Sequence, residues 1–309
     1  MSDHTQTAEI AGPIPATAET AEVKPVSPVR QILQRTFRQR SATIGLGLVI
    51  FICMSQVIGP WIVTWDPYHI NLTAAAVYDQ PPSLHPFHPL GTDDLGRDIY
   101  SRLLVGGRIS LPLAFFATAF AVAVGVTIGG IAGFARGHTD TLLMMVTNWF
   151  LSFPFFLLAL GIIAVRNPST SSVLLALVIT GWAYFTRLLR GQVLGVRETE
   201  FVEAARAAGA SPTRIMRKHV LPNSMAPVIV VAILTIGANI TGESGLSFLG
   251  LGVPPPTITW GNMAGRGQAY LELNPVEVLA PSAMIAFTLV AITLFGNALR
   301  DAADPKLKD

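Results

Sequence analysis

The sequence predicts an all-α, polytopic membrane protein with six transmembrane helices, and three observations carry that expectation. Of its 309 residues, 51% are hydrophobic and only 13% charged, where soluble domains carry roughly 25% charge. Uncharged stretches long enough to cross a hydrocarbon core, about 20 residues each, occur at 41–63, 109–134, 141–165, 167–186, 223–242 and 279–299. None of the 21 Lys and Arg or the 19 Asp and Glu falls inside them. The 27 Gly and 22 Pro suit no simple bundle in water, yet both residues are more frequent in transmembrane helices than in soluble ones. So little charge cannot cover two compact soluble domains with solvated groups, which argues against a soluble enzyme.

The segments follow in order. Residues 1–29, rich in Ala, Thr, Pro and Glu with no apolar run, are expected to be a disordered cytoplasmic tail and no signal peptide. Arg35, Arg38 and Arg40 mark the first span as an uncleaved start-transfer anchor, and Trp61 and Trp65 at its far end fit an interfacial aromatic belt. Cys53 is the one cysteine. It excludes an intramolecular disulfide and reads as a small buried hydrophobe. Asp93, Asp94 and Asp98, ahead of the second span, lack the spacing of a calcium loop and read as a polar loop before a helix. In the second span Ala117, Ala121, Gly125, Gly129 and Gly133 recur at every fourth position. Lipid gives helices no hydrophobic reason to associate, so this stripe of small residues is a helix-packing seam, within the chain or between subunits. Pro154 removes a backbone donor and kinks the third span. Asn167-Pro168 is the break that parts the third span from the fourth around Arg166. Pro254-Pro255-Pro256, between the last two spans, reads as a stiff connector.

Orientation follows from Lys and Arg, which are enriched in retained loops. An even number of spans puts both termini on one side. That side collects sixteen cations, seven of them between Arg187 and Lys218, and the other side holds Arg97, Arg102, Arg108, Arg166 and Arg266. Both termini are therefore expected in the cytoplasm of a multi-pass membrane protein. The net charge of +2 is explained by topology, and no basic patch interleaved with aromatics suggests nucleic acid.

The cytoplasmic loop 187–222 is the most informative stretch. Glu200 to Ala208 reads as a short helix with Thr199 as N-cap and with Glu200 and Glu203 near the positive end of its dipole. Phe201, Ala204, Ala205 and Ala208 make one apolar stripe opposite the charged face. Gly209 ends the helix, and Ser211-Pro212 starts a second one running toward Leu221-Pro222. The loop is thus two short helices joined by a glycine elbow.

The string EAARAAGASPTRIMRKHVLPN, Glu203 to Asn223, resembles the EAA loop of permease subunits of bacterial ABC importers. Glu203, Ala204, Ala205, Gly209, Leu221 and Pro222 match the pattern. His219 stands where the family has isoleucine, and this form resembles the dipeptide, oligopeptide and nickel branch. LGTDDLGRDIYSRLLVGGRISL (90–111), ESGLSFLGLGVPPPTITWGNM (243–263) and the C-terminal LRDAADPKL agree with that branch. The resemblance implies a type I ABC importer permease fold, with an N-terminal segment 30–108, a transmembrane domain 109–300 and a cytoplasmic tail 301–309. It implies that the loop is a coupling helix docked on an ATPase, with Ala204, Ala205 and Gly209 as a close-fitting surface and Glu203 as a polar anchor. It implies a sister permease, two ATP-binding subunits and an extracytoplasmic substrate-binding protein as partners, and small peptides, nickel complexes or glutathione-like peptides as substrates.

The chain has no GxxxxGK[ST] loop, so it is expected to bind no cofactor, ATP and Mg being held by the partner ATPases. A proton- or sodium-driven transporter is the competing class. It is disfavoured because the six windows hold no ionisable residue. An intramembrane hydrolase is disfavoured because they offer no base for their serines.

Overall fold

A computed structural model describes residues 34–63, 65–70, 82–84 and 87–303. The tail expected at 1–29 and the last residues, 304–309, lie outside them. The first span is α1 (Arg40–Ile62). A minimal hairpin, β1 (Ser83–Leu84) with β2 (Phe87–His88), pairs Ser83 with His88 and Leu84 with Phe87. Next comes α2 (Ile99–Ala135), which starts ten residues before the predicted window. Asp98 is the reason. Its carboxylate accepts from the Ser101 N–H at 2.7 Å and the Ser101 hydroxyl at 2.6 Å, an N-cap that begins the helix in the polar loop. Arg102 and Arg108 therefore stand on a helix.

The third window differs more from expectation. Instead of one kinked span, α3 (Gly137–Ser152) and α4 (Phe155–Arg166) meet at 91°. Pro154 has no N–H to donate, and the residue before a proline is pushed toward extended backbone; Phe153 lies at φ −83° and ψ 132°. Here that breaks the helix outright. The Ser169 side chain caps α5 (Thr170–Val196), which runs ten residues beyond the predicted end at 186 into what was expected to be loop. Then follow α6 (Glu200–Ala207), α7 (Pro212–Ile215), a π turn (Met216–Val220), α8 (Leu221–Phe248), α9 (Trp260–Gly267) and α10 (Val276–Ala303). Among the described residues five helical stretches are individually long and apolar enough to cross a membrane, and the bent α3–α4 pair makes six if it counts as one span.

Helix α2 is the hub, and its contact with α5 is the most extensive in the chain. The small-residue stripe lies in that contact, so the seam is internal. Ala117 and Ala121 are fully buried. A Cβ built on Gly125 would lie 2.5 Å from the Phe185 Cβ, one on Gly129 2.5 Å from the Thr186 carbonyl oxygen, and one on Gly133 2.8 Å from Val193. The helix backbones are closer than any side chain permits. A polar link adds to this: Asn239 of α8 donates to Thr118 of α2 at 2.9 Å, both buried. Cys53, expected to be buried, is exposed on α1, because that helix turns Ala42, Gly45, Ile52, Gln56 and Gly59 inward and Cys53 away. Trp61 is 80% exposed, whereas Trp65 stacks on His88 at 4.7 Å.

Candidate functional site

The candidate site is the segment between α5 and α8. Helix α6 is short, yet it is held firmly from below. Val202 is fully buried among Leu189, Val193, Ile215 and Val220, and Ala205 packs against the same cluster. The expected apolar stripe is therefore split. Val202, absent from it, is the buried anchor and Ala205 lies beside it, while Phe201, Ala204 and Ala208 are exposed together with Glu200, Glu203 and Gly209. Solvent-side sequence periodicity could not separate the two faces, because in so short a helix both carry small apolar residues.

The ends of α6 are built differently from each other. Thr199 occupies the N-cap position but makes no capping bond; its hydroxyl donates back to the Val196 carbonyl at 2.6 Å. At the other end Ala210 N–H reaches the Ala205 carbonyl at 3.1 Å and Gly209 N–H the Arg206 carbonyl at 3.0 Å. That pair of bonds is a Schellman cap, which needs a left-handed residue at its turn, and Gly209 supplies φ +78°. Ser211 caps α7 through the Arg214 N–H. The second short helix is not a separate element, as the sequence suggested. It passes through the π turn directly into α8, with the Leu221 N–H bonded to the Met216 carbonyl. Pro222 explains the wide turn, since it cannot donate and its ring crowds the carbonyl four residues back.

Three arginines on α5 and at its C-terminal end, where the segment begins, tie it to neighbouring helices. The buried Arg197 donates to the Gly133 carbonyl at the end of α2, satisfying an acceptor that the helix end leaves without an intrahelical donor. Arg190 holds Asp140, in the first turn of α3, by two parallel bonds of 2.6 and 2.7 Å. Arg187 donates to Asn148 at 2.8 Å. The end of α5 from which α6 follows is thus bonded to α2 and α3. Between α5, α8 and α10 runs a groove of about 790 Å³, lined by Gly181, Tyr184, Pro227, Val231, Leu234, Thr235 and Ala238, with Arg300 at its rim.

Residues 125–309 match the family described as the binding-protein-dependent transport system inner membrane component. The chain belongs to that family. Residues 27–82 match a second family, the N-terminal transmembrane domain of oligopeptide transport permease C. A putative peptide transport system permease protein of Brucella suis is 39% identical over 91% of this chain and 93% of its own length. The oligopeptide transport system permease protein OppC of Bacillus subtilis is 35% identical over 94% of each chain. Among solved structures, the MetNI methionine ABC transporter in an inward-facing conformation superposes with a TM-score of 0.56 at 20% identity, covering 65% of this chain and 96% of that one. The fold is that of type I ABC importer permeases, and the family is one of transporter subunits rather than enzymes.

Other features of this permease escaped sequence reasoning. Helix α8 continues past the predicted end at 242 and fully buries Glu243. The spanning helices therefore do contain an acid. It accepts from Ser247 at 2.7 Å, one turn on, and from Ser110 of α2 at 3.1 Å. The hydroxyl one turn after the carboxylate was a signal available in the sequence; its partner on α2 was not. On the same side the acidic cluster holds itself together. Asp93 accepts from the Arg97 guanidinium at 2.7 Å and from the backbone of Leu95 and Arg97, and Asp98 pairs with His88 at 2.9 Å. No group of metal-ligating side chains occurs among the described residues. Trp260, fully buried at the start of α9, donates to the Leu103 carbonyl at 2.9 Å, while Gln56 accepts the Gly107 N–H at 3.0 Å. Side chains from α9 and α1 thus engage the two backbone groups of one helical turn in α2.

Proposed function

We propose that this permease forms, with a sister permease, the path by which small peptides cross the bacterial inner membrane, and that a separate ATPase drives it through Glu200–Gly209. One observation carries the coupling assignment. Helix α6 is anchored by Val202 on one face and presents an uncovered surface of Phe201, Ala204, Ala208 and Gly209, edged by Glu200 and Glu203, on the other. Small side chains let another protein approach the backbone closely, and the two carboxylates supply polar anchors. Ala205, Leu221 and Pro222 act beneath that surface, Ala205 in the supporting core and Leu221-Pro222 in the turn that continues into α8.

The mechanism follows from how α6 is mounted. ATP and Mg bind to the partner ATPase subunits, whose closure displaces α6. Because Val202 is packed into the core with Ile215 and Val220, and α7 is continuous with α8, the displacement reaches the membrane as a movement of α8 against α2 and α5. That movement shifts the population between inward-open and outward-open states. The groove between α5, α8 and α10 is this chain's half of the path. Its walls are apolar with the hydroxyls of Tyr184 and Thr235, which suits a solute met by dipoles and aromatics rather than by fixed charge. Both termini are cytoplasmic, in keeping with the bias of Lys and Arg, and an extracytoplasmic binding protein delivers the substrate. Peptide as substrate rests on the relatives; a nickel or glutathione-type permease is the alternative within the same class.

Ala208→Arg tests the coupling assignment. Ala208 is exposed and ends a helix, so the change leaves insertion and folding intact. ATPase co-purification and dipeptide uptake are both expected to fall at least tenfold. Normal uptake with normal co-purification overturns the coupling role, and intact coupling with no uptake of any dipeptide overturns the substrate.

A further inference from the structure

A second groove, of about 470 Å³, lies between α1 and α2 on the side bearing the Asp93–Arg97 loop. It is lined by Cys53, Val57, Leu111, Phe115 and Phe116, with Arg108 at one end. Its surroundings are those of a membrane-facing surface. Val57 is 51% exposed, Phe115 55% and Phe116 52%, and Phe51 and Met54 extend the apolar face along α1. Arg108 is the exception. It is exposed, stands one residue before the uncharged stretch of α2, and its side chain makes no hydrogen bond or ion pair among the described residues. Of the four other arginines expected on that side, Arg97 and Arg102 are buried and paired with Asp93, while Arg166 and Arg266 are exposed like Arg108 but line no part of this groove.

We propose that this groove is a binding site for an anionic phospholipid. The guanidinium of Arg108 takes the phosphate through parallel N–H donors, a geometry that suits phosphate oxygens, and one acyl chain lies along Val57, Leu111, Phe115 and Phe116. The position along the helix supports this occupant. Arg108 and Phe116 are eight residues apart, so the groove extends about 12 Å along the helix at 1.5 Å per residue, from the charged end of α2 toward its apolar middle. That is the order of headgroup and chain in a bilayer. A protein partner seated there would have to bring an acid to Arg108 into an otherwise apolar surface, because an isolated charge is costly to bury unpaired. Lipid supplies the phosphate and the chain together.

Cys53 gives a reporter inside the groove. The assembled importer, labelled on Cys53 with a small fluorophore, is placed in nanodiscs of phosphatidylcholine containing 20% of a brominated-chain lipid, either phosphatidylglycerol or phosphatidylcholine. Quenching by brominated phosphatidylglycerol is expected to exceed that by brominated phosphatidylcholine at least threefold. The excess should vanish in Arg108→Gln and persist in Arg108→Lys, each on an exposed site that leaves the fold unaltered. Equal quenching by the two lipids in the unaltered chain overturns the proposal, as does an excess that survives Arg108→Gln. If Cys53 reacts in the isolated chain but not in the assembled importer, the groove is a subunit interface and the proposal is equally overturned.

Discussion

Gly129→Ala adds one methyl group to the α2–α5 seam, where the new Cβ would lie 2.5 Å from the Thr186 carbonyl oxygen and 3.1 Å from its Cα. Ordinary contact begins near 3.4 Å, so the helices must separate by roughly 1 Å. The obstructing atoms belong to backbone and cannot rotate away. Overpacking of this kind costs about 1–3 kcal/mol, and the methyl group returns up to about 1 kcal/mol through helix propensity. A net loss of up to about 2 kcal/mol remains. At about 2–4 °C per kcal/mol, the figure for domains of roughly 150–250 residues, the midpoint of thermal unfolding in detergent should fall by up to several degrees. Gly191→Ala is the control. It makes the same chemical change on α5, where a Cβ meets nothing within 4 Å, and the midpoint should hold or rise slightly. Equal midpoints for the two variants would refute the seam as a backbone contact.

Three further outcomes follow from the polar contacts. Asp98→Ala removes the cap of α2 and the partner of His88 and should cost about 1–2 kcal/mol, read as lower detergent stability; Asp98→Asn, which still accepts from the Ser101 N–H, should recover part of it. Trp260→Phe keeps the ring but loses the donor to the Leu103 carbonyl, a buried bond whose loss costs about 1–3 kcal/mol; unchanged stability would mean that backbone alone satisfies that carbonyl. Glu243→Ala leaves the hydroxyls of Ser110 and Ser247 to seek other acceptors, again about 1–3 kcal/mol, while Glu243→Gln retains one acceptor oxygen. Folded yield in the membrane should rank unaltered chain, Gln, then Ala, and equal yields for Gln and Ala would remove any bonding role for the carboxyl oxygens.

The division between sequence and tertiary structure runs along identifiable residues. Bilayer thickness and the cost of burying charge act on each stretch of chain separately, so the spans were legible from the absence of charge alone, most directly at 41–63 and 279–299. The stripe from Ala117 to Gly133 was legible as a seam for the same local reason: four-residue spacing puts small residues on one face. Which helix it meets was not, because α5 is chosen by three-dimensional packing. Pro154 announced a disturbance, but whether a proline kinks or breaks a helix depends on what its neighbours can satisfy, and here the two halves part at 91°.

The candidate coupling surface was half legible. Gly209 and Ser211 signal their turns through their own backbone chemistry, and both do what their residue types suggest. The buried face of α6 was not legible, since Val202 is recognisable as the anchor only once Leu189, Val193, Ile215 and Val220 surround it. Glu243 makes the same point from the opposite direction. A carboxylate looks like the end of a membrane span until Ser110, 133 residues earlier, is seen to reach it. Sequence alone determined which segments leave water, where the cations collect and which short loop carries small residues to a surface. Tertiary structure decided which of those residues are covered, because burial belongs to pairs of elements and a single helix cannot specify its neighbour.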